Sequence, residues 1–122
     1  MAEDDPKYDL AERTAKFGES SVRFARTIQL DAVTDPLIRQ MVRAATSVGA
    51  NYAEADEAGS KKEFRYRISL CSRESRESKH WLRMIGQAVP DAQKDELRKL
   101  WKEADELARI FASIYRSSAG KA

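Results

Sequence analysis

The sequence predicts an all-α protein, an up-down-up-down antiparallel four-helix bundle that spans residues 1–122 as a single domain. First, apolar residues recur at steps of three and four along four long stretches, which is the spacing of a helix buried on one side. Second, short breaks separate these stretches, so consecutive helices should be antiparallel neighbours. Third, the chain has three Pro, five Gly and 34% charged residues, a composition that favours amphipathic helices.

The first two helices are expected over about residues 8–30 and 36–57. Pro36 suits the first position of the second helix, with Asp35 or Thr34 as its N-cap. The apolar stripe of the first helix consists of Leu10, Thr14, Phe17, Ser21, Phe24 and Ile28. The stripe of the second consists of Leu37, Met41, Ala44, Val48, Asn51 and Ala55.

The third and fourth helices are expected over about residues 61–88 and 92–117, followed by a frayed C-terminal tail. Gly59 suits a left-handed conformation at the end of the second helix. Ser60 and Glu63 have the spacing of a capping box that starts the third. The stripe of the third helix is Phe64, Ile68, Cys71, Ser75, Ser78, Leu82 and Ile85. That of the fourth is Leu97, Leu100, Ala104, Leu107, Phe111 and Ile114.

Composition limits the class of protein more than its function. The net charge of +2 selects no partner, and the single cysteine excludes an intramolecular disulfide. No apolar run approaches the ~20 residues of a membrane span. The N-terminal "MAEDDPKYDL" is acidic where a signal peptide is basic. We therefore expect a cytoplasmic protein that does not contact a membrane.

The sequence predicts no catalytic residue, metal or cofactor. Glu77 and His80 form a Glu-x-x-His motif of the kind that holds metals in helical bundles. His80 is the only histidine, however, and the helical wheel places both residues away from the core stripe. Cys71 lies on the buried stripe with no neighbour that would lower its pKa. No glycine-rich phosphate loop follows a strand, so we do not expect an enzyme.

A basic stripe runs along the third helix, within a sector of about 120° that contains no acidic residue. Two interpretations stay open. The stripe could follow the phosphates of RNA or DNA, or it could be a solvated face that pairs with acidic residues of the second or fourth helix. The candidate nucleic-acid-binding residues are Lys62, Arg65, Arg73, Arg76, Lys79 and Arg83.

Four large apolar residues lie beside the main stripes and are candidates for an oligomer interface. Leu70 and Trp81 flank the stripe of the third helix, while Trp101 and Tyr115 widen that of the fourth. Such residues form a second contact surface or simply widen the core. Both interpretations stay open for Trp81 in particular.

Two polar residues interrupt the small apolar residues of the second helix. Asn51 and Glu54 are three positions apart and share a face. Asn51 should be buried and bonded to Ser75 or Ser78, which would fix the register of the two helices. We interpret these four residues as structural polar specifiers, with a ligand pocket as the alternative. Glu54 is expected to pair with a basic residue of another helix or subunit, namely Arg43, Arg67 or Arg73.

The stretch "QMVRAATSVGANYAEADEAGSKKEFRYRISLCSRESRESKHWLRMI" resembles the four-helix-bundle proteins encoded in intervening sequences of bacterial 23S rRNA genes. The family pattern has polar residues at fixed places in a helical run, a Ser-x-Lys-(Glu/Asp)-Phe segment, and a helix that ends near Glu-x-x-x-Trp-Leu. The matching positions are Arg43, Ala45, Ser47, Val48, Ala50, Asn51, Ala53, Glu54 and Ala55, then Ser60, Lys62, Glu63 and Phe64, and finally Glu77, Trp81 and Leu82.

This resemblance implies a four-helix bundle that assembles into symmetric homo-oligomers, in particular ring-like pentamers, and it does not imply an enzyme. A similar bundle, the accessory protein of diversity-generating retroelements, forms a pentamer and works with a reverse transcriptase and nucleic acid. The resulting hypothesis is a non-enzymatic homo-oligomer that binds RNA or DNA as an accessory protein. The alternative is a scaffold oligomer that binds a protein partner and no nucleic acid.

Overall fold

The computed structural model describes residues 9–119, which form four α-helices. There is no strand in this part of the chain, and the predicted all-α class with four helices is confirmed. A three-residue 3-10 turn, Asp91–Gln93, leads into the last helix. The helices are α1 (Leu10–Arg26), α2 (Thr34–Asp56), α3 (Lys61–Ile85) and α4 (Lys94–Ala119).

Each helix packs against the next one in the chain, and α4 also packs against α1. α2 packs against α1 and α3, and α4 packs against α3 and α1. Arg13 contributes to the closing contact between α1 and α4, because its Nε donates to Oε2 of Glu103 at 2.7 Å. This arrangement is compatible with the predicted up-down-up-down order.

The core contains most residues of the predicted stripes, but Leu37, Asn51, Phe64 and Ile114 are only partly buried. Met41, Ile68, Leu82 and Leu107 are each fully buried and come from three different helices, and Phe17 adds α1 to the same cluster. Buried serine hydroxyls also occur in α1 and α3. They donate to the carbonyl oxygen four residues earlier, so they enter the core without an unpaired polar group.

The connection between α1 and α2 differs from the sequence prediction. α1 ends at Arg26 rather than near residue 30, and α2 begins at Thr34 rather than Pro36. Pro36 still lies within the first turn, where a missing N–H costs no helical hydrogen bond. The expected N-terminal end of the first helix, residue 8, lies outside the described residues.

Neither Asp35 nor Thr34 is the N-cap of α2, so that prediction is wrong. Val33 occupies the cap position and makes no side-chain cap bond. Instead, Oδ1 of Asp31 accepts hydrogen bonds of 2.8 Å from the backbone N–H groups of Val33 and Thr34. The Thr34 hydroxyl donates back to the Gln29 carbonyl oxygen at 2.7 Å. A folded loop therefore satisfies the free N–H groups at the start of α2.

The start of α3 follows the prediction, whereas the end of α2 does not. Oγ of Ser60 accepts a hydrogen bond of 3.1 Å from the Glu63 N–H, as expected of an N-cap. Gly59 does not adopt the predicted left-handed conformation, since no residue within 9–119 has a positive φ. α3 ends at Ile85, three residues before its predicted end. Residues 120–122 of the predicted frayed tail lie outside the described residues.

Candidate functional site

Two residues of the basic stripe of α3, Arg65 and Lys79, contact α4. At one end, Nε of Arg65 donates to Oγ of Ser118 at 3.0 Å, and Nη2 donates to the Tyr115 carbonyl oxygen at 3.3 Å. The Arg65 guanidinium also lies 4.0 Å from the centre of the Tyr115 ring. Arg65 is therefore held against the aromatic ring by two hydrogen bonds and a cation–π contact.

At the other end of the stripe, Lys79 makes an equivalent set of contacts with α4. Its Nζ donates to Oδ1 of Asp105 at 2.9 Å and lies 5.1 Å from the centre of the Trp101 ring. Nε of Arg109 lies 3.1 Å from the other oxygen of the same carboxylate. The hydrogen bond from Lys79, together with the charges of Lys79 and Arg109, lowers the pKa of Asp105. One carboxylate thus faces two cations.

The other four basic residues of the stripe are exposed. Nη1 of Arg76 donates to Oγ of Ser72 at 2.7 Å, within the same helix. Arg73 lies 3.9 Å from the Glu74 carboxylate, and Lys62 and Arg83 point to solvent. Among the ion pairs within residues 9–119, only that of Lys79 joins the stripe to an acidic residue of α2 or α4. The alternative interpretation, in which such acidic residues neutralise the stripe, therefore holds at Lys79.

Two of the four candidate interface residues share this surface with the stripe. Trp101 and Tyr115 are each 37% exposed. Midway between them lie Ser72 and Ala108, which are small and almost fully buried. We call this surface the α3–α4 face; it comprises Lys62, Arg65, Ser72, Arg73, Arg76, Lys79, Arg83, Trp101, Asp105, Ala108 and Tyr115.

The other two candidate interface residues, Leu70 and Trp81, lie on the opposite edge of α3, next to α2. Both are half-buried, and Trp81 packs against the core cluster. The His80 ring meets the Trp81 ring edge-on, with centroids 4.9 Å apart. We call this surface the α2–α3 face; it comprises Arg43, Asn51, Arg67, Leu70, Glu74, Glu77 and Trp81.

A buried carboxylate on the α2–α3 face was missed by sequence reasoning. Glu74 is only 6% exposed, although it lies outside the apolar stripe from which the buried positions of α3 were predicted. Nη1 of Arg43, from α2, lies 3.3 Å from its carboxylate, and Nη2 of the same arginine bonds to Glu77. The signal was the position of Arg43 in the neighbouring helix, which a wheel drawn for α3 alone does not contain.

The partners of Asn51 differ from those predicted. Its Nδ2 donates to the Ser47 carbonyl oxygen at 3.0 Å, and its Oδ1 accepts from Nη1 of Arg67 at 3.3 Å. The hydroxyls of Ser75 and Ser78 instead donate to carbonyl oxygens of their own helix. A serine inside a helix commonly bonds to the carbonyl four residues earlier, so these hydroxyls are already used.

Within residues 9–119 of one chain, Glu54 does not meet the arginines expected to reach it, and its pairing with an arginine of another subunit stays a prediction. Glu54 is exposed, whereas Arg43 contacts Glu74 and Glu77, Arg67 contacts Asn51, and Arg73 lies nearest Glu74. A groove of about 650 Å³ does exist between α1 and α2, with Gly18 and Gly49 in its floor. Neither Asn51 nor Glu54 lines that groove.

The candidate metal ligand Glu77 and the candidate nucleophile Cys71 both have partners within the bundle. Glu77 pairs with Arg43, and no cluster of three or more potential metal ligands occurs within residues 9–119. The Cys71 thiol is buried and lies 3.6 Å from the Val48 carbonyl oxygen. Burial raises the pKa of Cys71 to about 12, so the reactive thiolate is scarce at neutral pH. Separately, none of the helices within residues 9–119 has the length and apolarity of a membrane span.

Comparison with known proteins identifies the family. No curated protein matches the chain significantly. A crystal structure of a protein of unknown function from the S23 ribosomal protein family of Bacteroides thetaiotaomicron VPI-5482 matches with a TM-score of 0.74 at 19% identity. The match covers 91% of this chain and 98% of that one, and at this identity it shows a shared fold. The family model of the 23S rRNA-intervening sequence protein matches residues 7–113. The chain therefore belongs to the family of 23S rRNA-intervening sequence proteins.

Proposed function

We propose that this chain is a non-enzymatic, homo-oligomeric accessory protein that binds nucleic acid through the α3–α4 face. The observation that carries the proposal is the excess of positive charge on that face. Its six basic residues meet two carboxylates, Asp105 and Glu74. The family name, which refers to 23S rRNA, makes RNA the first ligand to test. We place this activity in the cytoplasm, where bacterial rRNA is made.

The expected contacts are with phosphates rather than base edges. The exposed side chains of Arg73, Arg76 and Arg83 are long cations on the outside of a bundle. They suit a backbone of regularly spaced negative charges, and contacts to phosphates carry no sequence information. Binding should therefore be weakly sequence-selective and should weaken steeply with salt, because each neutralised phosphate releases counterions.

Self-association would strengthen a contact that is weak in one copy. We propose that the α2–α3 face forms the oligomer interface in an antiparallel up-down-up-down bundle. Leu70 and Trp81 offer half-exposed apolar surface there. A symmetric ring, such as the pentamer that the resemblance implies, would repeat the α3–α4 face and add avidity.

Charge reversal on the α3–α4 face tests the proposal. The variant carries Arg73→Glu and Arg76→Glu, and the matched control carries Arg23→Glu and Arg39→Glu, which are exposed on α1 and α2. We expect the first variant to lose binding to labelled RNA in fluorescence anisotropy at low salt, while the control retains it. Both should keep wild-type helicity, because exposed charges contribute little to stability.

A scaffold that binds a protein partner is the second candidate function. It is favoured by the pairing of Lys79 with Asp105, which shows that part of the stripe is neutralised within the chain. If wild-type protein binds neither RNA nor DNA even at low salt, the scaffold function remains. Capture of partners from the native cells with and without nuclease treatment would then separate a protein partner from one bridged by nucleic acid.

A further inference from the structure

The α3–α4 face contains two cation–aromatic pairs in matched positions. Arg65 lies over Tyr115 and Lys79 lies over Trp101. The two cations are fourteen residues apart on α3, and the two rings are fourteen residues apart on α4. At the helical rise of ~1.5 Å per residue, the pairs are therefore separated by about 21 Å along the bundle.

The surface between the two pairs is formed by small residues. Ser72 and Ala108 lie midway, and both are small and nearly buried, at 5% and 7% exposure. The guanidinium of Arg76 is held beside them by the Ser72 hydroxyl. A flexible strand can therefore lie across the α3–α4 face, with a ring at each end and a cation in the middle.

We infer that the α3–α4 face binds single-stranded nucleic acid in preference to duplex, with bases stacked on Trp101 and Tyr115 and phosphates near Arg65, Arg76 and Lys79. This inference rests on the proposed function and specifies its ligand class. Trp101 and Tyr115 are each 37% exposed as whole residues, so part of each residue remains accessible beside the cation. Single strands present unpaired bases that stack on such rings, whereas bases inside a duplex are already stacked and paired.

The site is organised before the ligand arrives. Arg65 is fixed by Ser118 and the Tyr115 carbonyl, and Lys79 is fixed by Asp105. Binding therefore does not have to order these long side chains, which is a large cost in flexible sites. A span of about 21 Å corresponds to roughly six nucleotides at ~3.4 Å per nucleotide of a stacked strand.

The test compares one labelled RNA of roughly twelve nucleotides, within the range of known single-strand sites, as a single strand and as a duplex. Anisotropy titrations use the full chain and the variants Trp101→Ala and Tyr115→Ala. Each should weaken single-strand binding at least about fivefold, the lower end for a lost base–aromatic stack, and change duplex binding less than about twofold. Tyr66→Ala is the matched control, since Arg67 lies 5.7 Å over that ring outside the α3–α4 face. Light scattering on every variant checks that assembly is unchanged.

A second measurement does not depend on the stability of the alanine variants. The chain has two tryptophans, so quenching that is present in the wild type and absent from Trp101→Phe reports Trp101. The single strand should quench the fluorescence of Trp101, and the duplex should not. The inference is overturned if the duplex binds as tightly as the single strand, or if neither alanine change nor quenching reports a ring contact. If nucleic-acid binding in those cases still requires Arg73 and Arg76, the proposed function stands without this inference. If the wild-type protein binds no nucleic acid, both the proposed function and this inference are wrong.

Discussion

At the residue scale, Asp31 is the group that sets the start of α2. Its carboxylate accepts hydrogen bonds from the N–H groups of Thr34 and Val33, which lower the pKa of Asp31 below its ordinary value of 3.8. We expect Asp31→Ala to lower the melting temperature at neutral pH, because those two N–H groups lose their acceptor. Asp35→Ala, which removes only an exposed pair with Arg39, is the control.

The pH dependence of the same variant has a definite sign. A carboxylate whose pKa is lowered on folding stabilises the protein above its unfolded pKa, and this contribution disappears as pH falls through the folded pKa. The difference in melting temperature between wild type and Asp31→Ala should therefore shrink as the pH falls from 7 to roughly 2. A difference that stays constant over this range would show that the charge of Asp31 contributes nothing.

The reactivity of Cys71 gives an independent prediction about the core. Since burial raises its pKa to about 12, a thiol reagent such as dithionitrobenzoate should not modify the native protein near pH 8. The same reagent should react at once in guanidinium chloride, where the thiol is exposed. Rapid modification of the native chain would mean that the α2–α3 contact around Val48 opens frequently.

Residue-level features were predictable where the cause is local in sequence. The cap at Ser60 follows from a spacing of three residues to Glu63, and the structure has that bond. Asp31 was missed although its bonds span only two and three residues, because the expected helix start at Pro36 directed attention to Thr34 and Asp35 as caps. The partner of Asn51 was missed because Arg67 comes from α3, and no local pattern indicates which side chains two helices bring together.

At the scale of elements, Arg43 connects α2 to α3. It pairs with the buried carboxylate of Glu74 and with Glu77. We expect Arg43→Ala to lower the free energy of unfolding by about 1–3 kcal/mol, because it leaves a desolvated carboxylate with poorer hydrogen bonding. The expected loss of stability is smaller than for a fully buried ion pair, because the Arg43 side chain is 46% exposed. Urea unfolding followed by circular dichroism measures the change.

Arg39→Ala is the matched control for this prediction. Arg39 lies one helical turn before Arg43, and its side chain is 77% exposed and pairs with Asp35 within α2. An exposed pair at this spacing contributes about 0.3–0.5 kcal/mol, so the control should stay close to wild type. Equal losses in the two variants would contradict a special role for the contact with Glu74.

The helices themselves and the start of α3 were predictable from the sequence, whereas the end of α1, the start of α2, the end of α3 and the lateral contacts were not. The spacing of apolar residues follows directly from the geometry of one helix, and this explains the agreement for the buried stripes. The side of α3 that each basic residue occupies was also predictable. That Trp101 and Tyr115 lie against Lys79 and Arg65 required the packing of α3 on α4, which a single-helix pattern does not contain.

At the scale of the whole molecule, Trp81 tests self-association. We expect wild-type protein to have several times the monomer mass of 13.8 kDa in light scattering, and Trp81→Glu to dissociate it while keeping most of its helicity. The reason is that a charge on the α2–α3 face would be buried without a partner in the interface. Trp101→Glu, on the α3–α4 face, is the control and should retain the assembly.

Two results would contradict the assignment of Trp81 to an oligomer interface. A wild-type monomer at micromolar concentration would remove the oligomer altogether. Unfolding of Trp81→Glu would show instead that Trp81 acts mainly as part of the core cluster against which it packs. Trp81→Phe keeps an apolar ring and should stay folded. Light scattering on this variant therefore reports loss of the interface separately from loss of the fold.

The equal spacing of the two cation–aromatic pairs has a consequence for how the chain length can vary among relatives. One residue inserted in α4 between Trp101 and Tyr115 would turn one ring by about 100° relative to the other. The two rings could then no longer both face α3. Residues added between α3 and α4, in the segment 86–93, leave both spacings intact. Insertions and deletions should therefore be found in the connections of relatives that retain these pairs, while the spans 65–79 and 101–115 keep a constant length.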